Sequence, residues 1–484
     1  MSADSVGGQF GLENLPRLVI AAPHGRAGKT TLTLGLLRAL SRQGLKVRPF
    51  KKGPDYIDPS WLAAAAAAPC YNLDAYLMEP EQIRRSVAQA AAGCSMSIIE
   101  GAMGLFDGLD LAGSSSTAEI AKLTETPVIL VLDATRMTRS AAAIVMGCQH
   151  FDPAVKIGGV ILNKVAQSRH ERMLREAIEH FCGVPVVGAI PKDAGITIPD
   201  RHLGLVTNAE TVASERILEY LADVVAAHVD LAQVQALATK APPLSVVRPG
   251  RSPRAGKSSQ PHRVTIGVIR DEVFSFYYPE NLEALARLGA ELKVIDSLRD
   301  PGLPADLAAL YIGGGFPEVF AAGLEQNSSL RREIKEAVEG GLPVYAECGG
   351  LMYLGRSLEV GGESYAMVGA LPLDTVMEAR PMAHGYTLMR SLPGNSWLAP
   401  GTAVKGHEFH NSRLINLAPE IHYAYAVERG YGVDGSHDGI VYKGVCAAYN
   451  HLHVYSCPEW AATLVEKATA YQAARQAALA WVAG

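Results

Sequence analysis

"AAPHGRAGKTT", residues 21–31, lies between an apolar run, "RLVIAAP" at 17–23, and a stretch with helical spacing, Thr30–Gln43. A strand, a glycine-bearing turn and a helix opening on Lys-Thr can wrap a phosphate. Successive backbone N–H groups converge there and the helix N-terminus adds positive potential. Lys29 is placed to reach the β- and γ-phosphates of a nucleotide and Thr30 to ligate Mg²⁺, with Gly28 and Thr31 completing the turn. Pro23 stands where the strict phosphate-loop pattern has glycine, and Arg26 where glycine would be more comfortable.

The same alternation continues outward. "KVRPFKKG", "MSIIEGAMG", "PVILVLDA", "IGGVILNKV" and "VPVVGAIP" are short apolar runs ending in Gly, Pro or Asp, with helical stretches such as Arg169–Phe181 between them. "VTIGVIRD", "ELKVIDS", "AALYIGGGFP" and "PVYAECGG" repeat the theme further on. Near-continuous apolar strands alternating with helices imply α/β architecture, with mostly parallel sheets covered by helices. The stretch at 241–262, "APPLSVVRPGRSPRAGKSSQPH", is rich in Pro, Ser, Gly and basic residues and reads as a solvated linker. Two domains are expected, 1–240 and 263–484. Acids follow the strand ends of the first. Asp55 and Asp58 come after the second strand, Glu100 ends the third, and Asp107 follows seven residues on. A carboxylate at the C-terminal edge of a sheet beside a phosphate loop can hold Mg²⁺ directly or through water. Thr30, Asp55 and Glu100 are the metal candidates. Asp55 and Asp58 beside prolines could instead simply form turns.

The totals bound the function. Of 484 residues 48% are hydrophobic and 19% charged, and the net charge of −5 gives no reason to expect nucleic acid. Seven scattered cysteines without a CxxC argue against zinc, iron–sulfur and disulfide frameworks and suit a cytoplasmic location. The N-terminus has no signal-peptide pattern, and no apolar run approaches the roughly 18 residues of a membrane span. The tail from Pro458 reads as an amphipathic helix that packs on its own domain or on a second subunit, so a homodimer stays open.

In the second domain Cys348 stands between an apolar strand and a helix start in "PVYAECGGLMYLG", residues 343–355. That is the setting of a nucleophile elbow. A buried core cysteine would read the same way in isolation. "YIGGGFPE", 311–318, ends a strand in three glycines whose backbone can approach a substrate carbonyl, and "AAYNHLH", 447–453, supplies His451. A cysteine on an elbow, a glycine loop and a later histidine make a thiol amidohydrolase set.

With those residues in view, the chain resembles a known family from about residue 17 to 460. "GRAGKTT", "KKGPDYIDP", "EGAMGLFDG", "LNKV" and "IPDRHLGLV" look like the dethiobiotin-synthetase-like half of the cobyrinic acid a,c-diamide synthase family. "YIGGGFPE", "AECGGLMYLG", "GHEFHNSR" and "AAYNHLH" look like its triad-poor class I glutamine amidotransferase half. The resemblance implies amidation of acetate side chains on a tetrapyrrole polycarboxylate, with ATP and glutamine as co-substrates. Cys348 would attack the glutamine amide and His451 would move the proton. Backbone N–H groups near Gly314 and Gly349 would hold the oxyanion. Asp55, Ile57, Asp58, Glu100 and Asp107 would line the ATP, Mg²⁺ and carboxylate site, and Arg201 and His202 would hold the anionic ring. The acid usual two residues after the histidine is replaced by His453, as the family shares, so a slow glutaminase with nothing obvious to orient His451 is expected. The ring could be cobyrinic acid, sirohaem or (nickel-)sirohydrochlorin. A P-loop ATPase with a fused regulatory domain is the alternative of another class, and it would leave Cys348, the glycine loop and His451 without a purpose.

Overall fold

The computed structural model describes residues 9–192, 200–201, 204–205, 213–248 and 264–483. The chain divides into two compact units, residues 1–256 and 257–484.

The first unit is built on a seven-stranded, wholly parallel sheet. Its spatial order is Tyr71–Leu73, Val47–Lys52, Met96–Glu100, Arg17–Ala21, Val128–Asp133, Ile157–Val165, Val186–Pro191. The first strand in sequence is the middle one in space. Arg17–Ala21 and Met96–Glu100 are buried along their whole length, as parallel strands covered on both faces must be. Because the chain leaves Arg17–Ala21 toward one side and crosses to Val128–Asp133 on the other, the carboxyl ends of the central strands open a crevice at a switch point. The helix Lys29–Arg42 starts there, and its buried face carries Leu32, Leu36, Leu37 and Leu40.

The expected linker is partly structured. Leu244–Arg248 is a strand paired antiparallel with Gln9–Glu13. Leu244 and Val246 are buried, and the Pro242 carbonyl accepts a 2.7 Å hydrogen bond from the buried Arg17 guanidinium. The Pro, Ser and Arg content hid a short alternating strand, "LSVVR", whose partner lies more than two hundred residues upstream. Residues 249–262 of that stretch lie outside the described residues.

The second unit carries a ten-stranded sheet ordered Ala290–Ile295, Val264–Ile269, Leu307–Ile312, Val344–Glu347, Val445–Ala448, His437–Tyr442, His422–Arg429, Ala383–Ser391, Ala403–His410, His451–Leu452. The first five strands are parallel, and every later pairing is antiparallel. The sheet is therefore mixed, and its parallel character is confined to the part that presents Cys348. The first antiparallel pairing is with Val445–Ala448, and the last strand, His451–Leu452, follows that strand after two residues. The antiparallel part must therefore curl back on itself. A smaller four-stranded sheet runs Glu363–Ala366, Ser357–Val360, Asp374–Met377, Ser412–Ile415.

The C-terminal helix, Glu459–Ala483, packs on its own unit through its first turns. Trp460, Ala461, Leu464 and Ala468 are buried, and Trp460 stands edge-on to Tyr311 and Tyr345. Residues 473–481 are exposed. Among the described residues no helix is long and apolar enough to cross a membrane.

Candidate active sites

Gly28 caps the helix Lys29–Arg42 with φ +95°, a conformation only glycine takes without strain. A Cβ there would also lie 2.2 Å from Asn163 Nδ2. Asn163 donates from that nitrogen to the Ala27 carbonyl at 2.9 Å, so the loop and the end of strand Ile157–Val165 are tied. Arg26 adopts φ +59°, a left-handed strain of the kind that persists where surrounding structure imposes it. Lys29 is buried, and its Nζ donates to the Met103 carbonyl at 2.6 Å. Burial, then the neighbouring Lys51 ammonium, pull its pKa down.

The acids expected at strand ends converge here, with differences. Thr30 Oγ1 donates to Glu100 Oε1 at 2.6 Å and lies 3.5 Å from Asp58 Oδ2. Asp58 rather than Asp55 is the second carboxylate beside Thr30. Asp55 Oδ1 is taken by the N–H groups of Ile57 and Asp58 at 2.9 and 3.2 Å. This closes an Asx turn that opens the helix Ile57–Ala66. Burial, then Asp58, push the Asp55 carboxyl up to about 7. Asp107, an exposed residue, likewise accepts from the Gly104 N–H at 2.8 Å within its own turn. Arg201 lies in a two-residue strand paired with Gly204. His202 lies outside the described residues.

Lys51 was not singled out from the sequence. Its Nζ lies 2.5 Å from Asp58 Oδ2, 2.9 Å from Glu100 Oε1 and 3.8 Å from Asp55 Oδ2. Burial works to lower its pKa, but those three carboxylates carry it well above the ordinary value. A lysine at the end of a buried strand, two turns ahead of paired acids, is the signal that could have found it, since lysine is seldom buried without partners. Replacing it by the similarly sized methionine strands the buried Glu100 and the half-buried Asp58. Lys51→Met is expected to cost about 3 kcal/mol, read as a lower thermal melting temperature of the first unit. An unchanged melt would show that the lysine does not hold those acids.

The donors gathered at Thr30 are all oxygens. Glu100 Oε2 is buried with no hydrogen-bond partner. This set fits a hard cation such as Mg²⁺, which takes one or two protein carboxylates and completes its shell with phosphate oxygens and water. Among the described residues no three His, Cys, Asp or Glu side chains form a cage of their own. Beside the loop, a cavity of about 240 Å³ is lined by Gly28 and Thr31 on one side and by Asn163, Pro191, Leu221 and Val225 on the other.

In the second unit Cys348 has φ +47° and ψ −102° at the start of helix Gly349–Leu354. This is a strained non-glycine backbone of the kind a nucleophile elbow imposes. The glycine loop seats against it. A Cβ on Gly349 would come within 3.0 Å of Gly315 N, and one on Gly314 within 2.4 Å of His451 Cε1 and 3.3 Å of its Nε2. Cys348, Gly314, Gly349 and His451 are thus brought together. The thiol is buried, and burial with the nearby Glu318 carboxylate pushes its pKa well above the usual range, while the Gly349 N–H acts the other way.

The turn carrying His451 is held by Asp438, whose two carboxylate oxygens accept from Tyr449 N and Asn450 N at 3.0 Å each. Its carboxyl is pushed up to about 7 by burial, against those N–H bonds. His407 stacks on His451 with centroids 4.9 Å apart, and burial, then His451, lower its pKa well below the ordinary value. No hydrogen bond joins His451 Nδ1 to a neighbour, but a carboxylate that the sequence did not point to stands beside it. That Nδ1 lies 3.5 Å from Glu347 Oε2, and both side chains are buried. His453, two residues on, faces elsewhere: its Nδ1 accepts from Tyr455 N and its Nε2 lies 3.7 Å from Glu280 Oε2.

Residues 18–206 match the CobQ/CobB/MinD/ParA nucleotide binding domain family, and residues 265–458 match the CobB/CobQ-like glutamine amidotransferase domain family. Over most of its length the chain is similar to proteins named cobyrinate a,c-diamide synthase. The one from Magnetococcus marinus is 44% identical, covering 92% of this chain and 96% of that protein. The one from Archaeoglobus fulgidus is 43% identical over 94% and 98%, and that from Methanosarcina acetivorans 40% identical over 96% and 97%. A nucleotide-binding unit followed by a glutamine amidotransferase unit, matched end to end at this identity, places the chain in the cobyrinate a,c-diamide synthase family.

Proposed function

We propose that the protein converts the a and c acetate side chains of cobyrinic acid to amides, using ATP and glutamine. The observation that carries this is the presence in one chain of two side-chain clusters, Thr30, Glu100, Asp58 and Lys51 at a phosphate loop, and Cys348 on an elbow beside the glycine loop that meets His451. The names of its relatives support the ring.

In the glutaminase unit Cys348 adds to the carboxamide carbon of glutamine as His451 takes the thiol proton. The raised pKa of Cys348 makes that base necessary, because little thiolate forms unaided. The N–H groups near Gly314 and Gly349 receive the oxyanion. His451 returns the proton to the departing ammonia, and water then releases glutamate. In the synthetase unit a ring acetate attacks the γ-phosphorus of ATP, giving an acyl phosphate and ADP. Ammonia displaces phosphate from it, leaving the amide. A carboxylate alone is a poor electrophile, and phosphorylation supplies the leaving group. Lys29 and the backbone around Gly28 and Thr31 hold the phosphates, and the cavity beside Asn163 suits the nucleoside end. Mg²⁺, held through Thr30, Glu100 and a second carboxylate of the Asp55–Asp58 pair, would neutralise phosphate charge. Lys51 balances the remaining acids, Ile57, Asp58 and Asp107 would line the carboxylate site, and Arg201 and His202 are the candidates to hold the anionic ring. The seven free cysteines suit a reducing cytoplasm.

The test is by mass. Protein, ATP, Mg²⁺ and glutamine, unlabelled or ¹⁵N-amide-labelled, are offered cobyrinic acid, sirohydrochlorin and sirohaem separately. With unlabelled glutamine each carboxyl converted to amide lowers the mass by about one unit, and the product of the ¹⁵N-amide run stands about one unit per amide above that unlabelled product, which identifies the nitrogen source. Two amides on cobyrinic acid alone are expected. Amidation of sirohaem or sirohydrochlorin with cobyrinic acid untouched would overturn the ring assignment and keep the chemistry. No amidation of any ring, with ATP hydrolysed, would return the chain to the regulatory ATPase class.

A further inference from the structure

We propose that Glu347, the residue before the nucleophile, is the positioning residue for His451 and does the work of the acid that His453 replaces. The inference rests on the glutaminase reading of Cys348 and His451.

The strand register brings the two side chains together. Val344–Glu347 pairs in parallel with Val445–Ala448, with Glu347 opposite Ala448. Three residues beyond Ala448 the chain reaches His451, past the turn that Asp438 holds. Glu347 can therefore turn toward His451 while Cys348, next in sequence, is thrust onto the elbow.

The carboxylate is itself fixed. Its Oε1 accepts from Leu452 N at 3.2 Å, and the Tyr311 hydroxyl donates to Oε2 at 3.4 Å. That Oε2 is the atom 3.5 Å from His451 Nδ1. The contact is at ion-pair range, and such contacts commonly tighten only when substrate is bound.

The two edges of the imidazole then have different roles. The Nδ1 edge faces Glu347, and the Cε1–Nε2 edge faces Gly314 in the glycine loop, where a Cβ would meet both atoms. A carboxylate at Nδ1 favours the tautomer with its proton there, which leaves Nε2 as the base. When His451 takes the Cys348 proton it becomes a buried cation, with its side chain 3% exposed. A buried cation without an opposite charge is costly, and Glu347 supplies that charge at short range. The other groups around it are less suited. His407, stacked on its face, is held neutral by burial. Both oxygens of Glu408 accept backbone N–H bonds from Tyr431 and Gly432. His410 Nδ1 donates to the Ser412 carbonyl, with its pKa lowered to about 4 by burial. His453 is turned to Glu280.

The experiment is steady-state glutamine-driven amidation by wild type, Glu347→Gln, Glu347→Asp and Cys348→Ser, each with a thermal melt. Glu347→Gln keeps shape and removes charge. It is expected to lower kcat by roughly 10- to 100-fold with the KM for glutamine within about twofold, the mark of an interaction that counts in the transition state. Glu347→Asp keeps the charge one methylene further back and is expected to recover most of that loss. Wild-type kcat in Glu347→Gln overturns the proposal. So does a loss spread equally over kcat and KM that Glu347→Asp does not relieve, which is what a purely structural role would give. If Glu347→Gln gives no cooperative melt, Glu347→Asp decides alone: a fall in kcat of no more than about fivefold at unchanged KM is expected, and a larger loss spread equally over kcat and KM overturns it. Cys348→Ser separates the two readings. Undiminished glutamine hydrolysis in that variant sinks the glutaminase assignment itself, whatever Glu347 does.

Discussion

Lys29→Ala is expected to abolish amidation whether the nitrogen comes from glutamine or from free ammonia, with a loss of at least about 10³-fold. The reason is that ammonia bypasses only the glutaminase. The acyl phosphate still has to form, and its formation transfers a phosphoryl group whose charge must be met by fixed cations. Lys29 is the cation of the loop itself. It is buried, and its Nζ is aimed by the Met103 carbonyl at 2.6 Å. Nearby Lys51 cannot take over, because three carboxylates already surround it. A loss of 10³ in rate corresponds to about 4 kcal/mol of transition-state stabilisation, more than a surface charge provides. The measurement is product mass after incubation with glutamine and, separately, with ammonium chloride. Ammonia-supported amidation at the wild-type rate would remove Lys29 from the ATP site.

The complementary variant, Cys348→Ala, is expected to lose glutamine-driven amidation by at least about 10⁴-fold and to retain the ammonia-driven reaction. A thiol cannot be replaced by water in that setting. The elbow backbone, at φ +47° and ψ −102°, holds Cβ at the junction of strand and helix, where the glycine loop packs against Gly349 and their N–H groups would face a reacting carbonyl. Because burial holds the thiol protonated, attack and proton transfer are linked, and the residual rate in the alanine variant is that of the oxyanion donors alone. Equal loss of both reactions would mean that Cys348 supports the structure rather than the chemistry. Equal retention of both would mean that glutamine is not the nitrogen source.

The strand–loop–helix from Arg17 to Arg42 was legible because its determinants are local: an apolar run, a turn that needs Gly28, and leucines at helical spacing. The parallel strands that follow it were legible for the same reason, and so was the elbow at Cys348. The antiparallel part of the second sheet was not. Its strands, such as Ala383–Ser391 and His422–Arg429, alternate buried and exposed residues irregularly, and what defines them is pairing across long stretches of chain. The strand at Leu244–Arg248 was hidden for the same reason, because only its distant partner at Gln9–Glu13 distinguishes it from a linker.

The sites divide along the same line. Residue types and spacing were enough to single out Lys29, Thr30, Glu100, Cys348 and His451 as candidates, and the structure sets Thr30 beside Glu100 and His451 against the glycine loop. Spacing could not say which of Asp55 and Asp58 would stand beside Thr30. That depended on the Asx turn, which takes the nearer carboxylate for the backbone. Nor could it pair Glu347 with His451, residues more than a hundred positions apart that meet only through the parallel register of two strands. By itself the sequence determined the two α/β units and the residue types of both sites. The tertiary structure alone decided which charges face one another, because a buried charge takes its partner from whatever the packing of distant strands places within a few ångströms, and no local pattern encodes that distance.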